Sequence, residues 1–266
     1  MYKKFFAFRE KPFNKTPDPR FLYLSKGHRE ALARLHYVME EREIAILTGD
    51  VGCGKTTISR ALMDSAGKHY HFCFIFNPRL TAHEFLRSVA RSLAIETPSM
   101  HKDELLHAIT EALYRFNRAG RCPVIIIDEA QLIPERDTFD EIRLLTNFQL
   151  DDRNLLSVIL MGQPELRAIL ADPIYEPLRQ RVALSYHLRP LTLPETQEYL
   201  DYRIEVAGGA AGLFLPDAVQ RLFELSGGVP RRINNIATNA LLEAYGRDCS
   251  CVNAAIVDAI SGETVL

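Results

Sequence analysis

The sequence predicts an α/β fold: a parallel five-stranded sheet flanked by helices, followed by a small all-helical lid domain. Three observations predict it. Short, continuously apolar runs alternate with helix-period segments up to about residue 190, the pattern of strands buried on both faces of a parallel sheet. One of those runs leads directly into a glycine-rich loop and a helix. From Thr192 onward the strand runs stop and only helical patterns remain.

The first 24 residues are rich in Phe, Tyr and Pro, include Thr16-Pro17-Asp18-Pro19-Arg20, and have no helical period. They read as an extended arm packed on the core through Phe5, Phe6, Phe8 and Phe13. A helix is expected from Ser25 as N-cap to about Glu41, with Leu32, Leu35 and Val38 on one face. Ile44–Leu47 reads as a strand and Thr57–Met63 as a helix. Tyr70–Phe76 is a second strand. Thr81 with Glu84 forms a capping box that opens a helix through Phe85, Val89 and Leu93. A helix follows from about Asp103 to Asn117, then a strand over Val124–Ile127, a helix from about Phe139 to Phe148, and strands over Leu155–Met161 and Ala183–Leu188. This gives an arm over 1–24, an α/β domain over 25–190 and a helical domain over 191–266. In the last, Thr192 and Glu195 form a second capping box around Pro194. Helices are expected at Glu195–Val206, Pro216–Leu225, Pro230–Tyr245 and Asn253–Ile260.

Composition narrows the function classes. The chain has 266 residues, 47% hydrophobic and 25% charged, as in ordinary soluble globular proteins. A net charge of −2 gives no global nucleic-acid signature, though it leaves room for a local basic patch. No run approaches the ~20 apolar residues of a membrane span, and Met1–Phe6 lacks the apolar stretch of a signal peptide. Five scattered cysteines fit free thiols in a reducing cytoplasm. Cys249-Ser250-Cys251 has no further ligands nearby for a zinc site.

The chemistry concentrates in two motifs. Gly49-Asp50-Val51-Gly52-Cys53-Gly54-Lys55-Thr56-Thr57 satisfies G-x-x-x-x-G-K-[ST] between a strand and a helix. Its backbone N–H groups and the helix N-terminus form an anion cradle. Lys55 is suited to the β- and γ-phosphates of a nucleotide and Thr56 to a Mg²⁺ ion. Cys53 occupies a variable position of the loop. Val124–Ile127 then delivers Asp128 and Glu129 to a strand's carboxyl end, where open α/β sheets bind ligands. Asp128 is expected to hold the metal and Glu129 to polarise a water. A phosphate, a metal and a placed base together imply hydrolysis rather than binding alone.

Five further residues are candidates for the same chemistry. Gln163 follows the strand ending at Met161 and is suited to holding the water or sensing the γ-phosphate. Arg179 and Arg181, just before the last strand, would project away from their own nucleotide and suit a finger offered to a neighbouring subunit. Arg231 lies in the first turn of a helix, where the macrodipole disfavours a cation, so a bound anion would compensate. Asn77 is placed to hydrogen-bond Glu129 and hold it inactive.

With these residues in place the chain resembles the AAA+ ATPases of the ExeA/GspA-like group, which includes MshM-type pilus ATPases and TniB-like transposition helpers. The resemblance rests on Lys11–Tyr23, Gly162-Gln163-Pro164-Glu165-Leu166 and Gly228–Asn234 and covers nearly the whole chain. It implies strand order 5-1-4-3-2, with ATP bound between domains and between subunits. It makes Gln163 sensor 1, Arg181 or Arg179 the arginine finger and Arg231 sensor 2. Full-length secretion members continue into a membrane span and a peptidoglycan-binding domain. This chain ends at the lid, so a soluble cytoplasmic ATPase is expected.

Two roles follow. One is a homo-oligomeric assembly ATPase, as a hexameric ring or helical filament, with a protein partner in secretion or pilus biogenesis. The other is a transposition helper that assembles on double-stranded DNA with ATP and recruits a transposase. The basic opening residues Lys3, Lys4, Arg9, Lys11, Lys15 and Arg20 motivate the second. A nucleotide-dependent scaffold with little hydrolysis would not need Glu129.

Overall fold

The computed structural model describes residues 2–14, 19–97, 99–150 and 153–261. The chain forms two compact units. One contains His28–Gly49 and Ile58–Leu188; the other contains Met1–Gly27, Asp50–Thr57 and Arg189–Leu266.

The first unit is built on five parallel strands: β1 (Ile44–Gly49), β2 (Tyr70–Ile75), β3 (Cys122–Ile127), β4 (Ser157–Gly162) and β5 (Val182–Leu188). Their order is β2-β3-β4-β1-β5, the 5-1-4-3-2 arrangement that the family resemblance implies. β1 lies between β4 and β5, with Ile44 opposite Val158 and Gly49 opposite Leu188. β1, β3 and β4 are buried at every position. That is why their sequences are continuously apolar rather than alternating.

One face of the sheet presents Ile44, Ile46, Ile125, Ile127, Val158 and Leu160 to a single apolar core. α4 (Ala82–Ser92), α5 (Lys102–Arg118) and α6 (Arg136–Leu145) complete that core with Phe85, Val89, Ile109 and Phe139. α2 (Lys26–Glu41) and α3 (Lys55–Ser65) bury their own apolar stripes, including Leu35, Val38, Ile58 and Leu62. At α4 the expected capping box forms: the Glu84 amide donates to Thr81 Oγ1 and the Thr81 amide to the Glu84 carboxylate.

Two details of this unit differ from the sequence reading. α6 starts and stops three residues earlier than expected. Thr146 Oγ1 donates to the Arg143 carbonyl at 2.7 Å and closes the last turn before Phe148. Two short helices, α7 (Pro164–Leu170) and α8 (Glu176–Arg179), lie where no helix was expected.

The second unit has four main helices: α9 (Leu193–Val206), α10 (Pro216–Ser226), α11 (Pro230–Gly246) and α12 (Ala254–Ser261). The Thr192–Glu195 capping box is present, with the Thr192 amide 3.0 Å from the Glu195 carboxylate. The opening arm belongs to this unit. It begins with a one-turn helix, α1 (Tyr2–Phe5), which is too short to show a period in sequence. Phe6, Phe8, Phe13 and Phe21 enter one core with Leu200, Phe214, Leu222 and Leu241. Phe5 stays at the surface against Phe6 and Tyr245. Residues 15–18, part of the expected arm, lie outside the described residues.

Arg203 of α9 fixes the arm. Its guanidinium donates to the carbonyls of Pro12 at 2.6 Å and Asn14 at 3.4 Å and lies over the rings of Phe13, Phe21 and Tyr199. A cation buried to 8% exposure is tolerable because carbonyls and aromatic faces replace its water.

Candidate active site

The phosphate loop continues from the end of β1. Gly52 and Gly54 take φ of 87° and 100°, the left-handed region that only glycine enters without strain. Gly52 is also needed for space. A Cβ there would come within 2.6 Å of Cβ of Arg231, whose backbone N–H donates to the Gly52 carbonyl at 3.3 Å. The first turn of α11 and the phosphate loop are thus in direct contact. Arg231 and Arg232 have exposed side chains, and that turn contains no acidic residue.

Lys55 is buried to 6% exposure, and its ammonium donates to the Asp50 carbonyl at 3.1 Å. Asp50, Val51 and Thr56 face solvent, while Thr57 is half-buried. Cys53 is buried, and burial with the Asp50 charge pushes its thiol upward. A thiol held protonated and enclosed is a small apolar filler, not a nucleophile.

At the carboxyl edge of the sheet, Asp128 follows β3 and Gln163 follows β4, the strand beside it. Asp128 is buried, and its Oδ1 accepts the Glu129 amide at 2.9 Å. Glu129 takes φ 52° and ψ 39°, a left-handed conformation costing a non-glycine residue about 1–2 kcal/mol. This turn aims the carboxylate at two amides. Gln163 Nε2 donates to Glu129 Oε2 at 3.0 Å and Gln131 Nε2 to the same oxygen at 2.5 Å. Gln131 Oε1 in turn accepts the Gln163 amide at 3.0 Å.

Glu129 and Gln163 therefore meet, as the sequence suggested. Gln131 was missed: beside Glu129, its other partner, Gln163, lies 32 residues downstream, and no local pattern marks it. Asn77 does not take the role expected of it. Its Oδ1 accepts the Arg79 amide at 3.3 Å, an Asx turn before the helix.

The arginine pair separates by environment. Arg179 Nη1 donates to the carbonyls of Leu170 at 2.8 Å and Ala171 at 2.6 Å, closing the end of α7, and its guanidinium pairs with Glu176. Arg181 is exposed and makes one long contact, 3.4 Å to Thr146 Oγ1. It lines a groove of about 390 Å³ with Arg42, Glu43 and Gln180. That groove lies at the amino ends of β1 and β5, the sheet edge opposite Asp128 and Gln163. Burial and the neighbouring Glu41 raise the Glu43 carboxyl, while Arg181 opposes the shift.

Among the described residues no helix is long and apolar enough to cross a membrane, and no three His, Cys, Asp or Glu side chains cluster as metal ligands.

Comparison with known proteins shows the family and the fold. General secretion pathway protein A of Aeromonas hydrophila is 39% identical over 250 residues, 93% of this chain but 45% of that protein. The chain thus spans less than half the length of the curated relative it matches. Cdc6p from Pyrobaculum aerophilum superposes with a TM-score of 0.68 at 20% identity, covering 94% of this chain and 72% of its own. The Aeropyrum pernix ORC1 protein in complex with DNA gives 0.66 at 22%, covering 96% and 69%. The RuvB Holliday junction branch migration motor of Thermotoga maritima gives 0.60 at 16%, covering 96% and 74%. At these identities the three structures speak for the fold alone. Residues 38–170, half of the chain, match the AAA domain family. The chain belongs to that family: it is an AAA+ ATPase, similar over nearly its whole length to general secretion pathway protein A.

Proposed function

We propose that the chain hydrolyses ATP with Mg²⁺ as a homo-oligomer that drives assembly of a secretion apparatus. The observation that carries the hydrolytic part is the Glu129 carboxylate, held by Gln163 and Gln131 at the carboxyl edge of the sheet. A protein that only binds nucleotide has no use for a base fixed in this way.

In this reading the loop Gly49–Thr57 cradles the phosphates, and Lys55 supplies the compensating charge. Thr56 and Asp128 offer the hard oxygen donors that Mg²⁺ prefers. So small a protein donor set suits an ion that keeps several waters and is otherwise held by substrate phosphates. When bound, the ion supplies charge stabilisation to the β- and γ-oxygens. Glu129 orients the attacking water and takes its proton, and Gln163 fixes the carboxylate and senses the γ-phosphate. Arg231 of the helical lid, residues 191–266, adds a cation to the phosphate loop that its backbone touches.

Arg181 acts on a neighbour's nucleotide. Its position at the sheet edge opposite Asp128 supports a head-to-tail contact, which builds either a closed ring or an open filament. The five free cysteines, three of them buried, support a reducing cytoplasmic setting. Of the two cellular roles open from sequence, the likeness to a secretion protein favours a protein-partnered assembly ATPase.

The test compares ATP binding and Mg²⁺-dependent turnover in wild type, Lys55→Ala and Glu129→Gln. The reading requires loss of ATP affinity in the first variant and retained binding without turnover in the second. Undiminished hydrolysis by Glu129→Gln would refute the base assignment. ATP-dependent binding to duplex DNA at low salt would refute the exclusively protein-partnered role.

A further inference from the structure

The side chain at position 131 has no part in the phosphate loop or the metal site, yet it is wired into the base. Its amide orientation follows from its partners. Oε1 faces the backbone N–H of Gln163, a donor, at 3.0 Å. Nε2 is therefore left to face the Glu129 carboxylate, an acceptor, at 2.5 Å. Glu129 Oε2 receives a second N–H from Gln163 Nε2 at 3.0 Å. Two amides thus converge on one carboxylate oxygen and set the rotation of the whole group.

The surrounding backbone is arranged for this contact. Gln131 sits in a 3-10 turn, Ala130–Leu132, closed by the Leu132 amide on the Glu129 carbonyl at 2.8 Å. Position 162 is glycine, and a Cβ there would come 2.7 Å from Gln131 Oε1. The space beside β4 is thus kept for the Gln131 amide.

We propose that Gln131 is a positioning residue for hydrolysis: it locks the Glu129 carboxylate and couples it to the main chain of Gln163. Movement at Gln163 is transmitted to the base through two routes, one through its side chain and one through its backbone by way of Gln131. This rests on the reading of Glu129 as the base. A charged acceptor that loses one donor forfeits both orientation and stabilisation.

Gln131→Met tests this, because methionine keeps the length and volume but has no N–H. ATP affinity, kcat and KM are measured beside Glu129→Gln. The expected result is a fall in kcat of about tenfold or more with ATP affinity within about twofold of wild type. A purely packing role predicts wild-type turnover, since the shape is kept. Gln131→Glu is the second variant. It sets a like charge beside the base and is expected to lower kcat further than Gln131→Met. If Gln131→Met or Gln131→Glu turns over like wild type while Glu129→Gln is inactive, the positioning role is wrong and the base assignment stands. If Glu129→Gln itself turns over normally, the base reading falls and this proposal with it. A loss confined to ATP affinity overturns the proposal alone.

Discussion

Arg231 and Gly52 are joined main chain to main chain: the amide of the first, at the start of α11, donates to the carbonyl of the second at 3.3 Å. The phosphate loop is therefore supported from outside its own strand and helix. Gly52→Ala is the direct probe. The new Cβ would meet Arg231 Cβ at 2.6 Å and force a left-handed φ of 87° on an alanine. We expect ATP affinity to fall at least about tenfold, with a destabilisation of about 1–3 kcal/mol. Isothermal titration with ATP and a thermal melt check both. An alanine variant that binds ATP normally would show that the contact is incidental.

Arg179 and Arg181 should behave differently despite lying two residues apart. Arg179→Ala removes a guanidinium that closes α7 on the carbonyls of Leu170 and Ala171. Its effect should appear in the thermal melt, with turnover of the folded protein kept. Arg181→Ala should leave the melt and ATP binding unchanged while lowering turnover of the assembled protein by ~10³–10⁵. A reversed pattern would move the finger to Arg179.

The Arg203 latch predicts an effect on stability alone. Arg203→Ala removes two carbonyl contacts and three ring contacts from a buried site, at a cost of about 2–4 kcal/mol. The melting temperature should drop by about 5–10 °C, and limited proteolysis should cleave the first 24 residues faster. Unchanged arm cleavage would mean that the phenylalanines hold the arm without it.

The thiols give a pH prediction. Burial pushes the Cys73 thiol up to about 12 from an ordinary 9.0. The folded state thus prefers the neutral form more than the unfolded state does. The stability this confers is complete below about pH 9 and is lost as pH rises from there toward 12. Denaturant midpoints should fall across that window, and less steeply in Cys73→Ala. At pH 7.5 a maleimide should label the half-exposed Cys249 and Cys251 quickly, and Cys53, Cys73 and Cys122 only after unfolding.

What the sequence made legible was what its local order encodes. Val124–Ile127 followed by Asp128 is a strand that ends in a carboxylate, and both facts lie in five consecutive residues. The Thr81 and Thr192 capping boxes were readable for the same reason. α1 and α8 span four residues each, less than the two turns over which a helical period becomes visible. Gln131 escaped notice because its meaning lies in a contact with Gln163, across a strand and a helix. The separation of Arg179 from Arg181 was equally hidden, since only the position of the α7 carbonyls decides it. The arm reads as aromatic and packed, but its dependence on Arg203 could not be read across about 190 residues.

That last distance has a consequence for biosynthesis. The phenylalanines of the arm leave the ribosome before Arg203 and the helices of their shared core, which emerge about 190 residues later. Throughout translation of the α/β unit, four aromatic side chains wait without their native partners. The helical unit is thus closed only after the α/β unit has been made, by joining segments that flank it in sequence, and the nascent protein has a long window in which a chaperone would shield the arm.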